Sequence, residues 1–383
     1  MATRQRSRGQ SAARRRARTQ DRRRATRPAA PRRVVVQPRR AGSMAALPLV
    51  GLALAGVVGL ALAWVTRAGP PPAGSIATPL PLSSYTITYR VTNAGAATQI
   101  DKRVVQRPFG GKQETISSSG VVQTGTLTTA SAAYLYLNQP QPGWVKAEDG
   151  SHRAAGDERA GAALQWALRN GLARVVGRRM ILGRSCSVVE TGGPVGMPVK
   201  APTEAEHADL CVDRYGVVLR EDWTLNGRPA RTRVAVAYQP GAAVPDSDLV
   251  PRPLGPPLPP GATSTTVRTL SPDQIRSLPV TMTPPPGYVL GGAQVEATTG
   301  SGVAPTVVDI AHYVDGPELI DLDVGNVRPP AGAIAVTVGS RQAQLALDLT
   351  ASDLYLTVGD ATVRLEGPDP ALLIAAARTL SHS

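Results

Sequence analysis

The sequence has few of the residues that most often carry catalysis or hold a metal. Among 383 residues there are four histidines and two cysteines, and only 4% of the residues are aromatic. The histidines form no HExxH or paired arrangement, and the chain has no GxSxG, SxxK or P-loop motif. These absences exclude the usual signatures of zinc peptidases, serine hydrolases and nucleoside triphosphatases. We therefore expect a protein that is not an enzyme and that has no cofactor and no metal site.

Acidic residues are nearly absent from residues 1–43. This segment has fifteen arginines against the single acid Asp21, and its net charge of +14 equals that of the whole chain. The remainder is neutral, with 27 basic and 27 acidic residues. Such a charged segment predicts a disordered Arg-rich cytoplasmic tail. Because it has no aromatic side chain to stack on bases, we expect it to bind no specific nucleic acid. Anionic lipid is the expected contact of the four arginines nearest the following apolar run, and a specific cytoplasmic partner is the alternative: Arg32, Arg33, Arg39 and Arg40.

No charge interrupts the 22 residues from Met44 to Val65. About 20 apolar helical residues cross a bilayer core about 30 Å thick, so the sequence predicts a transmembrane helix at 44–66. The arginines before it place the N-terminus in the cytoplasm and residues 67–383 outside, as a single-pass protein of the cytoplasmic (inner) membrane. A cleavable signal peptide ending near Ala61-Leu62-Ala63 is the alternative, although its apolar stretch would be unusually long.

Proline divides the part predicted to lie outside. A Pro/Gly stalk is predicted at 67–81, and a second proline-rich stretch at 241–261 predicts a linker, because proline fixes φ and removes a backbone donor. The remaining segments, 82–240 and 262–383, are each long enough for a domain with its own core.

The first domain is predicted to be a β-sheet with one helix against it. Tyr85, Ile87 and Tyr89 alternate with polar residues, a period of two that is typical of a half-buried strand. Segment 179–190 is also predicted as a strand. Between them, apolar residues recur at helical spacing from Asp157 to Val176, which predicts a helix with one apolar face: Leu164, Leu168, Leu172 and Val175.

The second domain mixes strands with two short helices, so the predicted fold class is α+β. A helix is expected to begin at Ser271-Pro272, because serine caps helices and proline suits the first helical position. A C-terminal helix is expected from Ala371 to Leu380, after Asp369.

The two cysteines, Cys186 and Cys211, fall in the part predicted to be outside the cytoplasm. An even count in an oxidising compartment favours one disulfide, which would join neighbouring strands across 191–206. A metal site is the alternative, but two isolated thiols offer too few ligands, and His207 is not at a chelating spacing from Cys211.

A segment at the end of the first domain resembles a known family. It runs through Cys211-Val-Asp213-Arg-Tyr-Gly216, Trp223, Asn226-Gly227 and Arg231-Thr-Arg233. These residues resemble periplasmic regulators of the envelope-stress sigma factor, the RseB/MucB type, which share a fold with the lipoprotein carriers LolA and LppX. Weaker matches follow at 284–288 and 313–316. The resemblance implies a curved antiparallel sheet (a half-barrel) wrapped on a helix, with an apolar cavity for acyl chains.

We therefore expect a membrane-anchored extracytoplasmic protein that holds or senses a lipid or lipoprotein acyl chain and regulates sigma-factor signalling. A membrane protein such as an anti-sigma factor is an expected partner. The alternative is a non-enzymatic envelope scaffold that binds another membrane protein without a lipid ligand. The candidate apolar groove consists of side chains that would equally suit an ordinary core: Tyr85, Ile87, Tyr89, Leu164, Leu168 and Leu172.

Overall fold

The computed structural model describes residues 74–139, 141–149, 153–255, 264–300 and 303–382. The predicted tail and transmembrane segment, residues 67–73 of the predicted stalk and residues 256–261 of the predicted linker lie outside these residues. Within the described ranges, no helix has the length and apolar character needed to cross a bilayer. The described residues belong to one compact unit.

The N-terminal half of this unit, up to residue 240, is mostly antiparallel sheet. Its helix α1 spans Gly161–Arg169. Its strands are β1 (Ser84–Asn93), β2 (Gln99–Gln106), β3 (Gly110–Ile116), β4 (Val122–Thr128), β5 (Ala132–Leu137), β6 (Gly143–Asp149), β7 (Ala173–Ile181), β8 (Arg184–Thr191), β9 (Glu206–Val212), β10 (Val218–Leu225) and β11 (Arg228–Pro240).

The C-terminal half, from residue 264, has the same character. Helix α2 spans Pro272–Arg276 and helix α3 spans Pro370–Ala377. The strands are β12 (Ser264–Thr269), β13 (Val280–Met282), β14 (Val289–Gly300), β15 (Val303–Asp315), β16 (Glu318–Gly325), β17 (Ile334–Val338), β18 (Arg341–Ala346), β19 (Ser352–Val358), β20 (Ala361–Gly367) and β21 (Leu380–His382). Between the halves, Asp246–Leu249 form a short 3-10 helix.

The strands of both halves join into one 19-stranded sheet. Hydrogen-bonded neighbours follow the order β7-β8-β9-β10-β11-β1-β2-β3-β4-β5-β6, and then β12-β14-β15-β16-β20-β19-β18-β17. All of these pairings are antiparallel except the single bridge between β6 and β12 at Glu148 and Thr265. Among the described strands, β7 and β17 are therefore the two edges, and β13 pairs separately with β21.

The largest hydrophobic cluster contains residues of both halves. Leu164 of α1 and Leu373 of α3 are fully buried in it, together with Ile320 of β16 and Leu345 of β18. A second cluster lies within the N-terminal half and contains Tyr85, Ile87 and Tyr89, among others. The described chain is thus mostly antiparallel sheet with a few short helices, consistent with the predicted α+β class.

Two elements differ from the sequence prediction. The helix predicted over 157–176 ends at Arg169, because Gly171 follows in a left-handed conformation (φ 71°) and Ala173–Ile181 then pairs with β8. Leu172 and Val175 therefore do not lie on the helix. The strand predicted over 179–190 is in fact a hairpin, whose turn residues Leu182 and Gly183 both have positive φ, as a type I′ turn requires.

Both helix starts in the C-terminal half are confirmed. The Ser271 hydroxyl accepts a hydrogen bond from the Gln274 N–H, and the Gln274 side chain accepts one from the Ser271 N–H, which forms a capping box. The Asp369 carboxylate caps α3 by accepting from the Ala371 N–H at 2.9 Å. That helix ends at Ala377, and Leu380 begins β21, which shortens the predicted C-terminal helix.

The described part of the proline-rich stretch lies against the N-terminal half. The Gly241 N–H donates to the Ser84 carbonyl at 2.7 Å. The Trp144 backbone N–H donates to the Pro253 carbonyl at 2.9 Å, and the Trp144 carbonyl accepts from the Gly255 N–H at 2.8 Å. These bonds satisfy backbone groups that proline leaves without sheet partners. The division into two domains at 241–261 stays a prediction.

Candidate functional site

A cavity of about 460 Å³ lies beside the β7–β8 hairpin, and we call it the hairpin cavity. The stalk, the start of α1, the hairpin and the β9–β10 turn all contribute to its lining. The residues are Ile76, Ala77, Pro79, Gly161, Arg178, Gly183, Arg184, Ser185, Cys186, Ser187, Val212, Asp213, Arg214 and Gly216.

The described end of the stalk, residues 74–81, forms one wall of this cavity. Ile76 is buried in the large core cluster, and its carbonyl lies 3.4 Å from the Gln165 side-chain amide of α1. The Leu80 N–H donates to the Arg214 carbonyl at 2.9 Å. These contacts fix the last residues of the predicted stalk on the N-terminal half.

Two glycines allow the stalk to approach α1 closely. A Cβ on Gly161 would overlap the Pro79 ring and would lie 2.9 Å from the Gly216 Cα. Gly216 has φ 81°, a conformation that other residues rarely adopt. The backbone of α1, the β9–β10 turn and the stalk can therefore meet at one edge of the cavity without intervening side chains.

The β9–β10 turn explains the Cys211–Gly216 motif. The Asp213 carboxylate accepts hydrogen bonds from the N–H groups of Tyr215 at 2.9 Å and Val217 at 3.0 Å. Burial raises the pKa of Asp213, although these two N–H groups oppose the shift. Asp213 thus holds the turn that presents Arg214 to the cavity.

Three arginines surround the hairpin cavity, and none of them forms a salt bridge with a described residue. The Arg184 guanidinium lies 5.2 Å from the centroid of the Tyr238 ring. Arg214 donates to the Tyr215 hydroxyl at 2.8 Å and stacks on the same ring. Arg178 is exposed on β7. Asp213 is the one acid of the lining, so the arginines give this cavity an excess of positive charge.

Helix α1 adds to this positive character. Gly161, its first residue, lines the cavity. The preceding Ala160 provides no side-chain cap, and the first turn contains no acidic residue. The start of a helix carries partial positive charge on its N–H groups, which favours an anion nearby.

The disulfide predicted from the sequence is present and forms part of the cavity wall. Cys186 of β8 and Cys211 of β9 are bonded, and Cys186 faces the cavity. The bond joins two neighbouring strands across 191–206, as expected. It fixes the position of β8 behind Arg184.

A second cavity, of about 430 Å³, lies over a network of buried ion pairs, and we call it the ionic cavity. The Glu158 carboxylate accepts two hydrogen bonds from Arg233, at 2.8 and 2.7 Å, and one from Arg103. Asp101 also accepts from Arg103, and Glu221 also accepts from Arg233. The charges in this network compensate one another, so the ionic cavity has no comparable excess of either sign.

The structure divides the six predicted groove residues between two clusters. Tyr85, Ile87 and Tyr89 are fully buried in the N-terminal cluster, whereas Leu164 is buried in the large one, with Leu168 and Leu172 packed against it. None of the six lines the hairpin cavity or the ionic cavity. The groove at these residues stays a prediction, and the open volume lies elsewhere.

Both buried tyrosines use their hydroxyl groups within the protein. The Tyr85 hydroxyl donates to Asp157 at 2.9 Å, and burial raises its pKa well above the usual value. The Tyr89 hydroxyl donates to the Val218 carbonyl at 2.6 Å, and its ring lies 4.5 Å from the Arg233 guanidinium. These contacts are those of structural core residues.

The sequence interpretation missed the arginines of the hairpin cavity. The sequence predicted one continuous strand over 179–190 and assigned no role to Arg178 or Arg184, whereas the turn at Leu182-Gly183 brings both to the same cavity. The sequence signal for this hairpin is the pair Leu182-Gly183, which stands between two short runs of strand-forming residues. Among the described residues, no group of three or more His, Cys, Asp or Glu side chains is arranged to hold a metal ion.

Comparisons with known proteins find only solved structures of low sequence identity and low TM-score. No protein-family model matches the chain, and no curated protein matches it. The complex structure of Pseudomonas aeruginosa MucA/MucB matches with a TM-score of 0.29 and 14% identity, covering 78% of this chain and 93% of that chain. A putative outer membrane lipoprotein-sorting protein domain from Vibrio parahaemolyticus matches with a TM-score of 0.21 and 11% identity, covering 50% of this chain and 95% of that chain. With TM-scores this low, neither likeness contributes to the proposal below.

Proposed function

We propose that this chain is a membrane-tethered extracytoplasmic binding protein that holds a lipid or lipoprotein acyl chain in the hairpin cavity. The ligand would be an amphiphile whose acyl chain is joined to an anionic group. The observation that carries the proposal is the trio Arg178, Arg184 and Arg214 around a cavity of about 460 Å³. None of the three forms a salt bridge with a described residue, and Asp213, the one acid of the lining, interacts with Arg184 alone of the three. The proposal assigns no catalytic step to this site.

The lining suits a ligand with two chemically different ends. Ile76, Pro79 and Val212 contribute apolar groups to the lining, and the arginines contribute donors. Guanidinium groups match carboxylate and phosphate in both charge and donor geometry. The volume falls within the range of about 300–1,000 Å³ that is common for small-molecule sites.

The location and the regulatory role belong to the same proposal. Residues 44–66 would anchor the chain in the cytoplasmic membrane, with 67–383 outside and the basic tail on anionic lipid in the cytoplasm. Because the stalk forms a wall of the cavity, a bound ligand would alter the segment nearest the anchor. We propose that this change is transmitted to a membrane partner, such as the anti-sigma factor that the sequence resemblance implies.

Native mass spectrometry of the full chain, extracted in a mild detergent, tests the ligand. We expect one bound amphiphile per chain, and we expect Arg178→Gln with Arg184→Gln to weaken its retention at least about a hundredfold, since each charged hydrogen bond that is lost contributes about 1.5–3 kcal/mol. Arg328→Gln is the matched control, because Arg328 is exposed in a loop of the C-terminal half.

Two results would contradict the proposal. A chain that carries no amphiphile and instead co-purifies with a membrane protein would support the scaffold hypothesis. Equal retention by the double variant and the Arg328→Gln control would show that the ligand does not use the hairpin cavity.

A further inference from the structure

The end of the β7–β8 hairpin exposes large apolar side chains. Val176, Met180 and Leu182 are 46%, 63% and 47% exposed, respectively. β7 is an edge strand that pairs only with β8 among the described strands, and every residue from Val176 to Met180 is exposed. An exposed apolar edge is a liability in water unless another surface covers it.

Basic residues accompany these apolar side chains. Arg178 and Arg179 lie between Val176 and Met180, and Arg184 follows the turn. Most acidic groups nearby are already engaged or buried, and the half-buried Asp209 interacts with Arg179. Asp222 lies 3.2 Å from Arg179, Glu190 pairs with Arg174, and Asp213 is buried in its turn. The hairpin end therefore combines exposed apolar groups with net positive charge.

The start of the hairpin lies beside the stalk that follows the predicted membrane anchor. Gly74 packs beside β7, since a Cβ on it would lie 3.2 Å from the Val175 Cβ. Residues 67–73 separate the predicted span from Gly74, and seven extended residues reach at most about 25 Å. A chain anchored at 44–66 keeps Val175, at the start of β7, within about that reach of the bilayer, and the hairpin end lies at most about 23 Å further along the strand. The membrane is therefore a surface that the hairpin end can reach.

We propose that the end of the β7–β8 hairpin docks on an anionic membrane surface, with Met180 and Leu182 entering the interface and the arginines contacting lipid head groups. This inference rests on the tether of the proposed function and extends it. Apolar side chains with flanking basic residues are the usual composition of interfacial membrane contacts. Because Gly183 and Arg184 line the hairpin cavity, docking would bring the cavity to the lipid from which an amphiphile enters.

A depth-sensitive probe on the full chain tests docking separately from ligand binding. Both native cysteines are in the disulfide, so a single cysteine introduced by Leu182→Cys takes one fluorophore. The chain is reconstituted into phosphatidylcholine vesicles with or without phosphatidylglycerol, and nitroxide-labelled lipid serves as the quencher. Thr357→Cys, at an exposed position on β19 of the C-terminal half, is the matched control.

We expect quenching at position 182 in vesicles that contain phosphatidylglycerol and little at position 357. Each arginine at an anionic surface strengthens partition about fivefold, so removing phosphatidylglycerol should weaken the signal at least about fivefold. High salt should weaken it as well, because it shortens the Debye length. Adding Met180→Ser should reduce quenching at position 182 while flotation of the anchored chain is unchanged.

The outcomes separate docking from tethering. A chain that floats with both vesicle types but is never quenched at position 182 overturns docking and leaves the tether standing. A chain that floats only with vesicles containing phosphatidylglycerol, and is quenched at position 182 there, supports docking and overturns the tether. Flotation with neither vesicle overturns both. A probe that neither the aqueous quencher nor the lipid quencher reaches assigns the hairpin to a protein partner or a second copy, and overturns docking.

Discussion

The buried ion-pair network gives the sharpest prediction for the N-terminal half. Glu158 is 1% exposed and accepts hydrogen bonds from both Arg103 and Arg233. Glu158→Gln keeps the size of the side chain but removes its charge, so two buried guanidinium groups lose their shared partner. Removing one member of a buried pair typically costs about 3–5 kcal/mol, because the remaining charge is desolvated without compensation.

This network also positions the hairpin cavity. The Glu158 carbonyl accepts from the Val218 N–H at 3.2 Å, and the Ala160 N–H donates to the Gly216 carbonyl at 2.7 Å. Both bonds lie in the segment that leads into α1. Weakening the network should therefore loosen the start of the helix as well as the sheet.

Urea unfolding, followed by circular dichroism, measures the effect. Glu158→Gln should lower the free energy of unfolding by about 3–5 kcal/mol. The control Glu206→Gln removes a surface pair with Lys200, whose side chain is 56% exposed, and should cost at most about 1 kcal/mol. A Glu158→Gln variant within about 1 kcal/mol of the control would refute the reasoning that this network is a desolvated, mutually dependent unit.

Three further predictions concern the cavity wall and the C-terminal half. Replacing both Cys186 and Cys211 with alanine should lower the free energy of unfolding by about 3.5 kcal/mol, because the disulfide closes a loop of about 26 residues. Burial raises the pKa of Asp323 to about 7. Its folded form thus keeps a proton that the unfolded chain loses near pH 4, so the free energy of unfolding should decrease as pH rises from about 4 to about 7, by up to ~4 kcal/mol for this group. Asp323→Asn should remove that part of the decrease in urea unfolding at several pH values. Gly161→Ala should cost about 1–3 kcal/mol by forcing the stalk away from α1, whereas Gly177→Ala, which has open space around it, should be nearly neutral.

Each of these predictions has a contradicting result. A cysteine-free variant as stable as the native chain would show that the loop is already constrained without the disulfide. If the free energy of unfolding of the Asp323→Asn variant changes between pH 4 and pH 7 as much as that of the native chain, the pH dependence belongs to other groups. Equal effects of alanine at positions 161 and 177 would show that the stalk is not seated on the helix.

Local patterns predicted the elements whose signals are contained in a few neighbouring residues. The alternation of Tyr85, Ile87 and Tyr89 gave a strand and its buried face, both of which the structure has. Ser271 and Gln274 gave a helix start for the same reason, since a capping box is a local arrangement. The helix end at Arg169 was missed because apolar spacing continues through Leu172, although Gly171 ends the helix.

The sites depend on pairings that no local pattern specifies. Glu158 meets Arg233 across 75 positions of the sequence, and Arg107 meets Glu318 across 211. Asp101 and Arg103 lie two residues apart on β2, but no local pattern identifies their partners. The hairpin cavity likewise requires the register of β7 with β8, which the turn at 182–183 sets and the periodicity alone did not show.

Photo-crosslinking with a light-activated fatty acid tests the central claim most directly, because it reports where the ligand lies on the full chain. After digestion and mass spectrometry, the account predicts crosslinks at the lining of the hairpin cavity, within 76–79, 183–187 and 212–216, and their loss when Arg178→Gln and Arg184→Gln are combined. Crosslinks that fall instead on Tyr85–Tyr89 and the α1 leucines, or that persist in the double variant, would contradict it.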